Sequence, residues 1–159
     1  MNYVYIGKIV NTHGIKGELK LLSDFEYKEK VFKPNFVIYV DSKEYIITSY
    51  RHHKIFDMIT LKGFNDINEV LFLKGKKVYC KKEDLNLRTN EYLIQDLIGM
   101  NLIFNNEKKG TVKDITLGKN PLIELENNKY IPYRDNFIEK IDTDKNEIVV
   151  KNCEGLLWK

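Results

Sequence analysis

Cysteine is scarce in this chain of 159 residues: Cys80 and Cys153 stand far apart, and neither has partners at metal-ligand spacing. A cysteine-based metal module is thereby excluded. A single disulfide between the two stays open, with the reduced thiols of a cytosolic protein the expected state. Long apolar runs are also missing. None approaches the ~18 residues that a membrane helix needs. The opening MNYVYIGK enters a strand pattern at once, which predicts no targeting segment and a cytoplasmic location. Recognisable catalytic sets are missing as well. There is no Ser-His-Asp spacing, no pair of catalytic carboxylates and no GxxxxGK[ST] phosphate loop. No cofactor, metal or enzymatic activity is expected. Internal repeats and low-complexity tracts do not occur.

Apolar residues make up 43% of the chain, enough for packed cores. The length suits one domain or two small ones, and halves of about 75–80 residues sit near the lower limit for independent stability. The charge pattern favours two. Residues 1–82 hold 15 Lys/Arg against 9 Asp/Glu, while residues 83–159 hold 11 against 14. A basic half joined to a mildly acidic half implies two surfaces for two kinds of partner.

Strand periodicity dominates both halves. Tyr5-Val10 and Glu18-Leu22 flank a Thr12-His13-Gly14-Ile15-Lys16-Gly17 connection and read as a looped hairpin. In the second of these runs Glu18 and Lys20 alternate with Leu19 and Leu21, one wet face and one buried face. Phe36-Val40 and Tyr45-Tyr50, joined through Asp41-Ser42-Lys43-Glu44, predict another hairpin, and Phe56-Lys62 and Lys76-Lys82 predict further strands. The period changes once. Asp66 can cap a short helix, with Glu69 reciprocating three residues on and Gly75 ending the segment. Such an order predicts a small closed β-barrel over residues 1–82. Residues 83–90, polar and without an apolar face, are expected to be a linker. Residues 91–159 alternate strand runs with Asn- and Asp-rich turn signals, predicting a second small barrel. The fold class expected is all-β, with two small β-barrels joined by a short linker.

Wording goes further than periodicity. The chain carries IGKIVNTHGIKGELKL, then Arg51-His52-His53-Lys54, then GFNDINEVLFLKGKKVY. Asn90-Glu91-Tyr92-Leu93, Gly110-Thr111-Val112, Ile131-Pro132-Tyr133 and a closing Glu154-Gly155-Leu156-Leu157 follow. In this order and spacing they resemble the ribosome maturation factor RimM family over nearly the whole chain. The resemblance implies an N-terminal barrel like those of translation factors and a C-terminal PRC-barrel. It implies a non-catalytic role in assembly of the small (30S) subunit head and in 16S rRNA processing. The implied partners are the nineteenth small-subunit ribosomal protein and nearby 16S rRNA; the chain itself is expected to be a monomer. Three departures stand out, one being Ile67-Asn68 where the family's helix-start motif commonly has an arginine. The family's two adjacent aromatics after the linker glutamate read Tyr92-Leu93 here, and its Asn-Asp pair reads Asn120-Pro121.

Several residues are candidates for binding. Arg51, His53 and Lys54 form a basic group at the end of a strand, suited to rRNA phosphates or simply to a solvated turn. Adjacent His52 and His53 point to opposite faces of a strand, and no nearby ligand set completes a metal site. His13 either touches a partner or occupies a permissive turn. Glu91, Tyr92 and Leu93 are expected to offer an exposed apolar anchor to the ribosomal protein, the alternative being a structural seal. Cys80, alternating with Val78, is expected in a core. Leu156, Leu157 and Trp158 are expected to dock the tail. Two further readings remain: an RNA-processing enzyme built on barrels, and a PRC-barrel adaptor with no ribosomal role.

Overall fold

The computed structural model describes residues 2–156. The expected docking of Leu157 and Trp158 lies outside them. The chain divides into two compact units, residues 1–88 and 89–159, and both are built mainly of strands.

The first unit runs β1 (Tyr3–His13), β2 (Glu18–Leu22), α1 (Lys28–Val31), β3 (Val37–Val40), β4 (Lys43–His53), β5 (Phe56–Leu61), α2 (Ile67–Val70) and β6 (Lys77–Lys81). Its strands close into a barrel in the order β1-β2-β5-β4-β3-β6, with β1 pairing both β2 and β6. Closure bends long strands sharply. Register shifts in β1 at Ile9/Asn11 and Tyr5/Gly7, and in β4 at Ile47/Ser49, supply that bend. The alternation read from sequence then sorts the side chains. Leu19 and Leu21 are fully buried with Ile6, Ile9, Ile38, Ile47, Ile59 and Cys80. Each such Leu or Ile contributes roughly 1.5–3 kcal/mol by leaving water.

Two glycines are required by close packing. A Cβ at Gly7 would stand 3.1 Å from the Leu22 carbonyl oxygen and from the Ser23 Cβ. Gly17 has φ +91°, and a Cβ there would come within 3.2 Å of the Phe64 carbonyl oxygen. The 14–17 loop is thus seated on the start of α2, and Ile67 N–H donates to the Ile15 carbonyl at 2.9 Å.

Asp66 caps α2 as expected, accepting from Asn68 N–H at 2.8 Å. Glu69 reciprocates one residue earlier than the capping-box pattern predicts, accepting from Asn65 N–H at 3.0 Å. A 3-10 turn, Leu71–Leu73, and Gly75 at φ +85° complete the segment. A second 3-10 turn spans Lys82–Leu85 and buries Leu85. Part of the segment expected to be linker is therefore ordered within the first unit, anchored by one apolar side chain.

The second unit runs α3 (Ile94–Leu97), β7 (Asn101–Phe104), β8 (Glu107–Thr116), β9 (Leu122–Leu125), β10 (Tyr130–Pro132), β11 (Ile138–Asp142) and β12 (Glu147–Val150). Its strands form one six-stranded ladder, β10-β9-β8-β7-β12-β11. β12 lies parallel to β7 and the other neighbours are antiparallel. Asn105 and Asn106, both at positive φ, make the two-residue β7–β8 turn that such pairs favour. Leu97, Leu102, Ile123, Leu125, Ile131 and Ile148 form the centre of an apolar core.

Candidate functional site

The end of β4 carries the first candidate group. Strand alternation sends Arg51 and His53 to one face, and the chain turns back at Lys54-Ile55 to begin β5. Lys54 occupies this tight turn at φ +56°. Its neighbours on the barrel's outer face come from far away in sequence. Arg51 sets its fork on Glu18 of β2, Nε to Oε2 at 2.8 Å and Nη2 to Oε1 at 2.7 Å. That hydrogen bond holds the Glu18 carboxyl below the usual carboxylate range, helped by the charge of Arg51 and by His13 and His53, against a contrary effect of burial. The same bond raises the Arg51 guanidinium further.

The His13 and His53 rings lie 5.8 Å apart, centroid to centroid. Desolvation, followed by the charges of Arg51, Lys54, His13 and Lys20, pushes His53 below the ordinary histidine range, so it is neutral at pH 7. Lys20 Nζ sits 4.7 Å from the centre of the Phe56 ring. A depression of about 430 Å³, lined by His13, Gly14, Ile15, Lys16, Glu18 and Thr60, opens beside this cluster.

The tetrad read as a run of cations is therefore less positive than its sequence. Arg51 has a carboxylate partner and His53 is uncharged at neutral pH. Lys20 and Lys54 contribute cations to this face, whereas the charged Arg51 guanidinium is balanced by Glu18, so that the pair adds direction without net charge. Nothing in the local sequence announces the Arg51–Glu18 pair, since the two are 33 residues apart. The alternation of Glu18 and Lys20 was the available signal.

The second candidate group lies at the start of the second unit. Leu93 precedes α3 and is fully buried. It therefore cannot act as an exposed anchor, and its part in that expectation is withdrawn. An apolar side chain before a helix gains more from burial than from waiting in water. Glu91 and Tyr92 are half-buried, and Tyr92 packs against the apolar core of the unit. Tyr92 also lines a groove of about 480 Å³ with Tyr133, Arg134, Ile138, Lys140 and Ile141.

Arg134 braces one wall. Its Nη2 donates to the Lys119 carbonyl at 2.7 Å and to Asn120 Oδ1 at 3.3 Å, and Tyr133 N–H donates to the Pro121 carbonyl at 2.8 Å. The Asn120-Pro121 turn, a departure from the family pattern, is thus held by the groove itself. Tyr133 was legible in Ile131-Pro132-Tyr133, but that it lines one groove with Tyr92 was not.

No disulfide forms. Cys80 and Cys153 are free and buried, and burial raises their thiols to about 12 and about 11. Among the described residues no group of three or more His, Cys, Asp or Glu is placed to hold a metal, and no helix is long and apolar enough to cross a membrane.

A closed six-stranded barrel followed by a second strand-built unit with an aromatic groove defines a two-module, mainly β architecture. Residues 4–85 match the model of the RimM N-terminal domain. The ribosome maturation factor RimM of an Exiguobacterium species is 34% identical, covering 99% of this chain and 98% of its own. That of Ligilactobacillus salivarius is 37% identical, covering 98% and 99%. The crystal structure of a 16S ribosomal RNA processing protein RimM from Pseudomonas aeruginosa is 20% identical, covers 94% of this chain and 97% of its own, and superposes with a TM-score of 0.44. The chain belongs to the RimM family.

Proposed function

We propose that this protein is a non-enzymatic ribosome maturation factor of the cytoplasm, acting on the small (30S) subunit and on 16S rRNA processing. Two surfaces of different chemistry on one chain carry the reading: a lysine-bearing outer face on the barrel and an aromatic groove on the second unit. Relatives matched over their full length carry the name ribosome maturation factor, which supports the same assignment.

In this reading the barrel meets 16S rRNA through Lys54 and Arg51, with His53 donating or accepting hydrogen bonds in its neutral form. Phosphate contacts of this kind position a protein without reading bases. The mildly acidic second unit takes the basic nineteenth ribosomal protein of the head, with Tyr92 as its anchor and Glu91 beside it. A binder that prefers one arrangement of the head stabilises that arrangement by its differential affinity, and no bond need be made or broken.

Sedimentation of a lysate on a sucrose gradient tests the role. The protein should run with free small subunits and not with translating ribosomes. Absence from every ribosomal fraction would leave a protein-binding adaptor instead. Tyr92→Ala should weaken binding to immature small subunits about ten-fold or more, the loss typical of a central aromatic anchor. An unchanged affinity in a pull-down would remove the groove from the interface.

A further inference from the structure

A third surface lies on the barrel, along the neighbouring outer faces of β1, β3 and β6. On β6, Lys77, Tyr79 and Lys81 alternate with the buried Val78 and Cys80, so lysine, tyrosine and lysine point outward in turn. Across the ladders Tyr3 pairs with Lys81, while Tyr79 pairs with Tyr5 on one side and Tyr39 on the other. The rings meet edge to face, Tyr3 on Tyr39 at 5.1 Å and Tyr5 on Tyr79 at 5.8 Å between centroids. Lys81 Nζ lies 5.4 Å from the centre of the Tyr39 ring. Beside them is a groove of about 410 Å³, bordered also by Lys76 and Asp41, which form an ion pair at 2.8 Å.

The feature differs from ordinary barrel packing in its exposure. Tyr39 is nearly covered, but Tyr3 and Tyr5 remain 40% and 44% exposed. Edge-to-face pairing fixes each ring while leaving part of its face open. Four tyrosines on adjacent strands lie among lysines, a composition suited to one class of ligand. Unpaired nucleotides offer flat bases to stack on rings and phosphates to meet ammonium groups; a paired duplex hides its bases and offers phosphates alone.

We infer that the β1–β3–β6 face is a stacking platform for unpaired nucleotides of RNA, with Tyr3 and Tyr5 against bases and Lys77 and Lys81 against the backbone. The inference rests on the ribosomal reading above and extends it: the barrel would take single-stranded rRNA here, apart from the phosphate contact at Lys54. Asp24 and Asp41 border the patch, and Asp24 helps burial to raise the Tyr5 phenol. These carboxylates disfavour a purely electrostatic occupant, so stacking must supply much of the affinity.

The test uses the full chain, a labelled ten-nucleotide oligouridylate and a blunt RNA duplex with the same number of phosphates per strand. The single strand should bind at least ten-fold more tightly than the duplex. Tyr3→Leu with Tyr5→Leu should weaken single-strand binding about ten-fold or more, while Tyr3→Phe with Tyr5→Phe keeps it, since stacking needs the ring and not the hydroxyl. Lys77→Gln with Lys81→Gln should flatten the dependence on log salt by about 1.4 for two single-strand contacts. Equal affinity for duplex and single strand, or leucine variants that bind like the parent, would overturn the platform. Far-UV circular dichroism on each variant ensures that lost binding is not lost folding, and Tyr3→Leu and Tyr5→Leu made singly carry the test if the pair unfolds, each expected to weaken single-strand binding. Immature small subunits are assayed in parallel. A chain that binds them but ignores the oligonucleotide loses the platform and keeps the maturation role, whereas one that binds neither loses both.

Discussion

The two units solve the same problem, burying a core behind short strands, with different use of polarity. The first places a charge inside. Asp57 is fully buried, accepting from Tyr50 Oη at 2.7 Å and from Lys28 Nζ at 2.8 Å, which ties α1 to the barrel wall. The second has no buried charged or polar side chain among the described residues apart from the Cys153 thiol, whose Sγ donates to the Lys151 carbonyl at 3.2 Å. The barrel is closed on itself, while the second ladder ends at β10 and β11. The difference teaches that similar strand content does not imply similar sources of stability. Both units rest on apolar packing; the first adds a satisfied polar cluster and close backbone contacts, and the second adds no buried ion pair among the described residues.

Asp57→Ala should break this contrast most severely. It orphans the Tyr50 hydroxyl, removes the Lys28 partner and opens a void, at a cost of about 2–4 kcal/mol. Urea unfolding followed by near-UV circular dichroism reads the loss. A change under 0.5 kcal/mol would mean the cluster contributes little.

Gly17→Val comes next. A side chain at φ +91° with backbone 3.2 Å away should cost about 1–3 kcal/mol and loosen the 14–17 loop from α2. Faster amide exchange at Ile67, whose N–H bonds the Ile15 carbonyl, is the expected sign. Unaltered protection there would show that the loop does not depend on this approach.

Alkali should separate the units by pH. Burial, the hydrogen bond to Asp57 and its charge raise the Tyr50 phenol to about 12, and burial raises Cys80 to about 12. In an unfolded chain these groups ionise near 10 and 9. Their contribution to the barrel is complete below those values and is lost as the pH rises toward about 12. Cys153, raised to about 11, imposes the same loss on the second unit over a narrower range. Urea midpoints measured from pH 8 to 11 should fall, and less steeply in a Cys80→Ala, Tyr50→Phe variant. A flat profile in the parent chain contradicts the argument.

The smallest effect is at the surface. Glu18→Gln removes the carboxylate that shares Arg51, so the salt dependence of 16S rRNA binding should steepen, by at most about 0.9, as the Arg51 guanidinium turns fully to phosphate. A shallower slope would show that Arg51 needs Glu18 to be presented at all.

Much of the architecture was legible in residue order. The alternation of Leu19 and Leu21 with Glu18 and Lys20 placed β2 and its wet face, and the runs Asp41-Ser42-Lys43-Glu44 and Asn105-Asn106-Glu107 marked turns, of which the backbone uses only the first two residues at positive φ and gives the rest to strands. α3 escaped notice because four residues show no helical period. Glu69 was paired with the wrong N–H because capping patterns do not resolve one residue of register. At the binding surfaces legibility was uneven. Tyr92 was visible as an aromatic near a boundary, but Leu93 beside it reads the same in sequence and is buried.

The sequence by itself determined which segments are strands, which face of each is apolar, and the family to which the chain belongs, because those are set by neighbours along the chain. Tertiary structure alone decided which distant side chains meet. It set Arg51 on Glu18, His13 beside His53, and Tyr3 and Tyr39 on one face, because barrel closure and register bring together residues tens of positions apart. Charge and hydrogen bonding act over a few ångströms of space, whatever the distance along the chain.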